Sequence, residues 1–305
     1  MFSRLFYRTH QKTVYYSFMK ILWLVSFRPI GKSKVNDFFQ NIFVDSIKSL
    51  NEDITFSLTQ FDEKNVEEFV KRKEIKNFYK NIPKSELPNN KKYSNHIMLN
   101  NALDQFIEND FEYLVCSSAD VIVPNNFFRE VSKIKDNNFC SLIYPNIHIT
   151  NGVVKNNYWP HYGIDLICFK ISKKKALEFK EIIKNYKQYD WGIIENFYIS
   201  ICEVLNLNIY NLFKYSNTIK FDNDFQAFNE DRTYQTQSWN ENQKYFLDFL
   251  KENKLSKFYA YGSYYFILYK IFRLKDLNFN LILSYMIFYP YNFIKKILNL
   301  FKMRK

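Results

Sequence analysis

Three acidic residues lie at positions where the sequence pattern indicates a ligand-binding or catalytic site. Asp120 ends the run Ser117-Ser118-Ala119-Asp120, which directly follows the apolar segment 111–116, and Asp190 and Glu195 lie around the start of a segment with helical spacing. An ionised carboxylate can hold a divalent cation or accept a proton from a hydroxyl group, so these residues are the first candidates for a reactive site. The structural alternatives are a turn for Asp120, a helix cap for Asp190 and an ordinary first-turn acid for Glu195.

The elements that would position these residues alternate between strand and helix patterns. Apolar or alternating runs predict strands over residues 21–27, 54–59, 111–116, 139–144, 166–171 and 208–213. Helical spacing or charged segments predict helices over residues 35–50, 65–81, 93–108, 173–186 and 193–205, and a loop is expected over 146–162. Short connections between such elements predict a mostly parallel, doubly wound sheet.

Polar residues follow the first three predicted strands. They are Arg28, then Gln60 and Asp62, then Ser118 and Asp120. Because ligands of open α/β sheets bind beyond the carboxyl ends of the strands, we expect these side chains to border one crevice. Arg28 could equally begin a basic loop, and Asp62 could equally lie in a solvated turn.

The charge of the chain is concentrated at its ends. The 305 residues carry a net charge of +12, but residues 1–34 hold seven Lys/Arg and no acid, and residues 251–305 hold eleven Lys/Arg and two acids. The middle is therefore mildly acidic. A hydrophobic content of 47% excludes a disordered chain, and only five glycines argue against a Gly-rich phosphate loop. Basic ends rich in aromatic residues favour a membrane surface as partner over nucleic acid, and solvated lysine-rich faces are the plain alternative.

The segment 277–294 has eighteen residues without a charge, but it contains Asn, Ser, Tyr and Pro290. Its hydropathy is low for a spanning helix, so we expect a helix lying in the bilayer interface, with a weakly spanning C-terminal anchor as the alternative. The apolar run 21–27 is short and is followed by Arg28-Pro29, which favours a buried strand over a signal peptide.

Neither cysteine nor histidine indicates a metal cluster. The four cysteines lie in apolar runs without a C-x-x-C spacing, and the four histidines are scattered. We expect buried free thiols.

The order of elements and two motifs give the chain a family resemblance. Residues 21–213 resemble GT-A fold glycosyltransferases, most specifically over Asn95–Phe128, where Ser118-Ala119-Asp120 looks like that family's D-x-D motif with the first Asp replaced. The second match is Gly163-Ile164-Asp165 before a strand, followed by Asp190-Trp191-Gly192 and Glu195 before a helix.

The resemblance implies roles for these residues. It implies nucleotide-sugar binding by Arg28, Asp62, Asn95, Ser118 and Asp120, acceptor binding by Asp165 and Trp191, and catalysis by Asp190 and Glu195. It also implies Mn²⁺ or Mg²⁺ on Asp120. Since one Asp of the motif is missing, a metal-independent variant with Lys or Arg on the diphosphate stays open.

Together these observations predict a single GT-A-like (Rossmann-like) α/β domain, with a mixed, mostly parallel sheet flanked by helices and a helical, basic C-terminal extension. The expected domains are a catalytic unit over 1–245, with a nucleotide-sugar half over 20–135 and an acceptor half over 136–245, and a membrane-associating region over 246–305.

The expected function is transfer of a sugar, most simply from a UDP-sugar, to a cell-envelope glycan or glycolipid at the cytoplasmic face of the inner membrane. An inactive scaffold of the same fold and a nucleic-acid-binding protein are the alternatives.

Overall fold

The computed structural model describes residues 19–63, 65–87, 91–143, 147–150, 153–156, 166–186, 194–211, 219–222 and 232–255. For part of these, including residues 194–196, only the backbone is described.

The first half of the chain alternates strands and helices as expected. Its elements are β1 (Lys20–Leu24), α1 (Lys34–Lys48), β2 (Asp53–Phe61), α2 (Val66–Arg72), β3 (Asn77–Ile82), α3 (Asn95–Glu108), β4 (Tyr113–Ser117), β5 (Val121–Ile122) and α4 (Phe127–Val131). The second half comprises β6 (Phe139–Ile143), β7 (Ile147–Thr150), β8 (Val153–Asn156), β9 (Leu166–Lys170), α5 (Lys173–Ile183), α6 (Ile194–Val204), β10 (Asn208–Asn211), β11 (Ile219–Asp222) and α7 (Arg232–Glu252).

The described strands form a seven-stranded sheet in the order β10-β6-β9-β4-β1-β2-β3, and a smaller sheet in the order β5-β11-β7-β8. In the large sheet β1 pairs in parallel with both β4 and β2, β2 with β3, and β6 with β10. Strand β9 runs antiparallel to both of its neighbours. The prediction of a mixed, mostly parallel α/β sheet flanked by helices is confirmed.

Strand β1 is buried on both faces, as its continuous apolar run predicts. Its side chains alternate between two cores: Leu22 and Leu24 pack with α3, α5, α6 and α7, whereas Ile21 and Trp23 pack with α1, α2 and α4. Trp23 is fully buried, and its ring meets that of Phe43 edge-on at 6.2 Å. The sheet is therefore covered by helices on both sides, with β1 in its interior.

The helix predicted over 65–81 is wrong in its second half. Helix α2 ends at Arg72, the chain reverses at Glu74 with φ +50°, and the following residues form the edge strand β3. Strand β3 pairs with β2 from Asn77, which lies opposite Phe56, to Ile82, which lies opposite Phe61. Pairing with a long central strand outweighs the weak helical preference of a charged segment, and a single sequence does not reveal that partner.

The loop predicted over 146–162 is also wrong in part, because β7 and β8 form an antiparallel pair in which Thr150 faces Val153. The sequence did carry a signal for it. Asn151-Gly152 stands between two β-branched segments, which is the strongest short-range indication of a hairpin.

Helix α7 runs through residue 245, where the sequence placed a domain boundary. Its Phe246, Phe249 and Leu250 are buried in the same core as α3 and α6. The four cysteines are buried free thiols, as expected. Among the helices of the described residues, none combines the length and apolar character needed to cross a bilayer.

The buried histidine of α3 makes stability depend on pH. His96 is 1% exposed, and burial lowers the pKa of its imidazole from 6.5 to about 3. Above pH 6.5 the ring is neutral in both the folded and the unfolded chain. Between pH 6.5 and pH 3 only the unfolded chain binds the proton, so this residue lowers the stability as the pH falls.

We expect His96 to account for a loss of about 2 kcal/mol in unfolding free energy between pH 7.5 and pH 5. Denaturant unfolding of the wild type and of His96→Phe at several pH values across this range measures the loss. The variant should remove only the part of the pH dependence of the unfolding free energy that is due to His96. Identical slopes in the two proteins, or a His96 ring signal that titrates near pH 6 by NMR, would contradict the buried neutral state.

Candidate functional site

The carboxyl ends of β4, β1 and β2 meet at one edge of the sheet, because these neighbouring strands are parallel. The register pairs Leu24 of β1 with Cys116 of β4 and with Ser57 of β2. The segments that follow them carry Ser118 and Asp120 after β4, Arg28 after β1, and Asp62 after β2. The topology therefore brings these four residues to the same edge, which we call the carboxyl edge.

Asp120 lies in the turn between β4 and β5. The hydroxyl group of exposed Ser118 donates a hydrogen bond to its Oδ1 at 2.5 Å, and Asp120 itself is half-buried. Neighbouring Ala119 is 9% exposed and packs into the core beside α1. The carboxylate is thus held by a hydroxyl at the protein surface rather than enclosed among apolar side chains, and it is available to a ligand.

A buried tryptophan fixes the start of this turn. The indole Nε1 of Trp23 donates a hydrogen bond to Oγ of Ser117 at 2.8 Å. The ring of Trp23 is itself held by Phe43, Phe127 and Phe128, at centroid distances of 6.2, 6.5 and 6.3 Å. The end of β4 is therefore tied to the packed interior next to β1. Local sequence patterns do not indicate this role of Trp23, since only the pairing of β1 with β4 brings its indole to Ser117.

Two buried glutamines hold the chain as it leaves β1. The backbone N–H of Arg28 donates to Oε1 of Gln40 at 2.5 Å. Gln60 can bond both backbone groups of Phe27, donating to its C=O at 2.9 Å and accepting from its N–H at 3.1 Å. Gln40 and Gln60 are 2% and 0% exposed. Gln60, which we expected at the crevice, instead lies inside β2 and supports the backbone.

Arg28 is exposed at this position, and its guanidinium donates to Oδ1 of Asn36 at 3.0 Å. The loop that follows is also ordered by polar contacts. The N–H of Gly31 donates to both carboxylate oxygens of Asp37, at 3.1 and 3.0 Å. Gly31 has φ +84°, a conformation that residues with a side chain rarely adopt. The β1–α1 loop therefore presents Arg28 from a well-supported backbone.

Asp62 has a structural task in the described chain. It adopts φ +53°, and its Oδ2 accepts a hydrogen bond from the backbone N–H of Lys84 at 2.7 Å. Its own N–H donates to the C=O of Ile82 at 3.1 Å. These bonds join the ends of β2 and β3, which agrees with the turn alternative for Asp62. The residue is nevertheless exposed at the carboxyl edge.

Basic residues lie beside this turn. Burial raises the pKa of the Glu63 carboxyl, and the positive charges of Lys84 and Lys32 oppose that rise. Lys32 and Lys84 are exposed, so the carboxyl edge carries cationic side chains near β2 and β3 as well as Arg28 near β1.

Asn95 is the first residue of α3 and is half-buried. Ser94 caps the helix, since its Oγ accepts from the N–H of Ile97 at 3.2 Å. Close in sequence lies Lys91, which is 6% exposed and forms an ion pair with Glu241 of α7 at 2.6 Å. No sequence pattern indicates this ion pair, because its two members are far apart along the chain.

The acceptor side of the predicted site is described only in part. Asp165, Asp190 and Trp191 lie outside the described residues. Glu195 is the second residue of α6, and only its backbone is described. Leu166, the first residue of β9, pairs with Ser117 at the end of β4, so β9 begins at the carboxyl edge.

Within the described part of the chain, no group of three or more His, Cys, Asp or Glu side chains is arranged to hold a metal ion. Asp120 is thus not part of such a group among these residues, and a divalent cation bound to it would take further ligands from phosphate oxygens and water.

No protein-family model matches the sequence, and no curated protein matches it. Solved structures with a similar fold include a putative nucleotide-diphospho-sugar transferase from Desulfovibrio desulfuricans G20. Its sequence is 13% identical, the match covers 77% of this chain and 95% of that chain, and the TM-score is 0.42.

A second similar structure is S. aureus TarS 1–349, which is 11% identical and has a TM-score of 0.45; the match covers 79% of this chain and 68% of that chain. A third is the inositol-1-phosphate CTP transferase from T. maritima, which is 10% identical and has a TM-score of 0.43; the match covers 73% of this chain and 96% of that chain. The strand order and strand directions of the large sheet define the fold class as a mixed, mostly parallel α/β sheet.

The hydrogen bond from Arg28 N–H to Gln40 is expected to stabilise the β1–α1 loop. Gln40→Met keeps the side-chain length but removes the buried acceptor, so we expect a loss of about 1–3 kcal/mol in unfolding free energy and faster hydrogen exchange of the Arg28 amide. Asn36→Ala is the control, because it removes the side-chain partner of the Arg28 guanidinium but leaves the Arg28 N–H bonded to Gln40, so hydrogen exchange of the Arg28 amide should stay at the wild-type rate. Equal acceleration of this exchange in both variants would refute the role given to Gln40.

Proposed function

We propose that the protein is a glycosyltransferase that moves a sugar from a nucleotide-sugar donor, with a UDP-sugar as the first choice, to a cell-envelope glycan or glycolipid. The observation that carries the proposal is the Asp120 carboxylate. It lies at the end of central strand β4, bonded to Ser118 and half-exposed, on the edge where ligands of parallel sheets bind. Arg28 and Lys84 at the same edge provide positive charge for a diphosphate.

The chemistry explains why both signs of charge are needed. Transfer breaks the bond between the anomeric carbon and the diphosphate oxygen and forms a bond from that carbon to an acceptor oxygen. Negative charge grows on the leaving diphosphate, so a cation must face it. The acceptor hydroxyl loses its proton, which requires a base when the configuration at the anomeric carbon inverts. We assign that base to Asp190 or Glu195.

For the cation we propose Mn²⁺ or Mg²⁺ on Asp120. The donor set fits in part, since Oδ1 of Asp120 already accepts from Ser118 and a single carboxylate is available. A bound divalent ion would supply charge neutralisation at the diphosphate. The residues of the chain do the remaining work: Asp120 orients the donor at the end of β4, and Arg28 and Lys84 attract its phosphates.

We further propose that Asp62 and Asn95 border the nucleotide, and that Asp165 and Trp191 contact the acceptor. In this proposal the catalytic unit, predicted over 1–245, extends to the end of α7, and the rest of the region predicted over 246–305 associates with the cytoplasmic face of the inner membrane through its basic and aromatic side chains. The described end of α7 belongs to the core, so the membrane-associating part would begin after it.

A second candidate is a protein of the same fold that binds a nucleotide sugar without turning it over. The observation that favours it is Ser118, which replaces one carboxylate and engages the other. Turnover of a radiolabelled sugar by the wild type would separate the two candidates.

Asp120→Asn should reduce sugar transfer or donor hydrolysis by at least about 100-fold, because it removes the charge that organises the cation and the diphosphate. A panel of nucleotide sugars, followed by release of nucleoside diphosphate, measures the effect. Asp110→Asn is the matched control, since Asp110 precedes β4 at the opposite edge of the sheet and its side chain is 89% exposed. An Asp120→Asn variant with wild-type turnover would overturn the proposed site.

The role of the metal can be tested on the folded protein without turnover. If Asp120 shares a divalent ion with the diphosphate, UDP should raise the thermal unfolding midpoint more in the presence of Mn²⁺ than in the presence of EDTA. A ligand at 100 times its Kd adds about 2.7 kcal/mol to the free energy of unfolding. The Asp120→Asn variant should lose the difference between the two conditions. Equal protection by UDP in Mn²⁺ and in EDTA would favour a metal-independent mechanism that relies on Arg28 and Lys84.

A further inference from the structure

One side chain joins two of the loops at the carboxyl edge. Nδ2 of Asn65, the residue before α2, donates a hydrogen bond to the C=O of Ile30 in the β1–α1 loop at 3.2 Å. The two residues are 35 positions apart along the chain, so they meet only because β1 and β2 are neighbours in the sheet. A methyl group on Gly31 would lie 4.0 Å from the same nitrogen, so the amide of Asn65 closely approaches this loop.

Asn65 lacks the local contact that is usual at its position. It is the N-cap residue of α2, where an asparagine side chain ordinarily accepts from a backbone N–H of the first turn, but within the described helix its side chain makes no such bond. Its backbone adopts φ +66°, which is unfavourable for most residues with a side chain and which asparagine tolerates better than most. Strained backbone of this kind is common at functional sites.

The bond from Asn65 adds a constraint that α1 does not supply. Helix α1 binds the β1–α1 loop at two places, since the N–H of Arg28 donates to Gln40 and the N–H of Gly31 donates to Asp37. These bonds fix the loop to the helix that follows it, but they leave its distance from the next loop undetermined. Asn65 sets that distance, because it belongs to the loop between β2 and α2.

The connection extends to a third segment. Asp62, in the same β2–α2 loop, accepts a hydrogen bond from the N–H of Lys84, which follows β3. Lys32 of the β1–α1 loop and Lys84 both act on Glu63, since their positive charges oppose the rise in the pKa of its carboxyl that burial causes. Side chains therefore join the segments after β1, β2 and β3 into one border of the carboxyl edge.

We propose that Asn65 is a positioning residue, which holds the β1–α1 loop against the β2–α2 loop and so sets the distance between Arg28 and Lys84. The role in the loop does not require a ligand. Its consequence for binding rests on the proposed function. A diphosphate carries two charged groups at a nearly constant separation, so cations that are already held at a matching separation bind it more tightly than cations on a mobile loop.

The test replaces Asn65 in the full chain. Asn65→Gly removes the side chain but keeps a residue that readily adopts a positive φ, and it adds no charge that would itself repel a diphosphate. We expect the Kd for UDP to rise about five-fold, because part of the binding free energy would be spent on ordering the loop. The thermal unfolding midpoint should change by less than about 2 °C, since the lost bond is exposed. A merely structural residue would lower the midpoint and leave the Kd unchanged.

Asn51→Gly is the matched control. Asn51 is exposed and has the same left-handed backbone, with φ +54°. It lies between α1 and β2, at the edge of the sheet opposite the carboxyl edge. The same substitution there should leave the Kd for UDP at the wild-type value.

Nitrogen-15 relaxation of the Gly31 and Lys32 amides tests the loop without a ligand. We expect lower order parameters for both amides in Asn65→Gly and no change in Asn51→Gly. Unchanged order parameters in Asn65→Gly would overturn the positioning role, and so would a Kd for UDP that stays constant in this variant or rises equally in both. If the wild type does not bind UDP, the proposed function fails, and the order parameters alone decide the role of Asn65.

Discussion

The parallel pairing of β1 with β4 on one side and β2 on the other is the constraint on which the candidate site depends. Because the three strands share one direction and a defined register, the segments that follow them emerge at the same edge. Burial of β1 on both faces holds this arrangement, since a slip by one residue would exchange Trp23 for a side chain that belongs to the opposite core. The neighbourhood of Asp120, Arg28 and Asp62 follows from that packing.

Polar groups inside the protein then determine which residues reach a ligand. Gln40 and Gln60 bind the backbone beneath Arg28, and Trp23 binds Ser117 beneath the turn of Asp120. Such buried donors and acceptors are costly unless they are bonded, so each bond restricts the conformations of the loop it supports. The exposed residues of the site are thereby presented from a rigid layer, which is the arrangement that binding of a charged ligand requires.

Helix α1 joins the site to the packed interior. One of its sides completes the core around Trp23. Its first turn orders the loop that carries Arg28, because Asn36 and Asp37 accept hydrogen bonds from Arg28 and Gly31. The same helix therefore supports both the packed interior and the carboxyl edge.

The sequence by itself determined the class of the fold and the position of its central strands, because continuous apolar runs and helical spacing are properties of local segments. It also placed Asp120, Arg28 and Asp62 after their strands. It could not reveal β3, which owes its strand conformation to pairing with β2, nor the burial of Gln60. Only the tertiary structure revealed three contacts: the hydrogen bond between Asp62 and the backbone of Lys84, the hydrogen bond between Trp23 and Ser117, and the ion pair between Lys91 and Glu241. These contacts join residues that are distant along the chain, so their free energy depends on packing that no local pattern records.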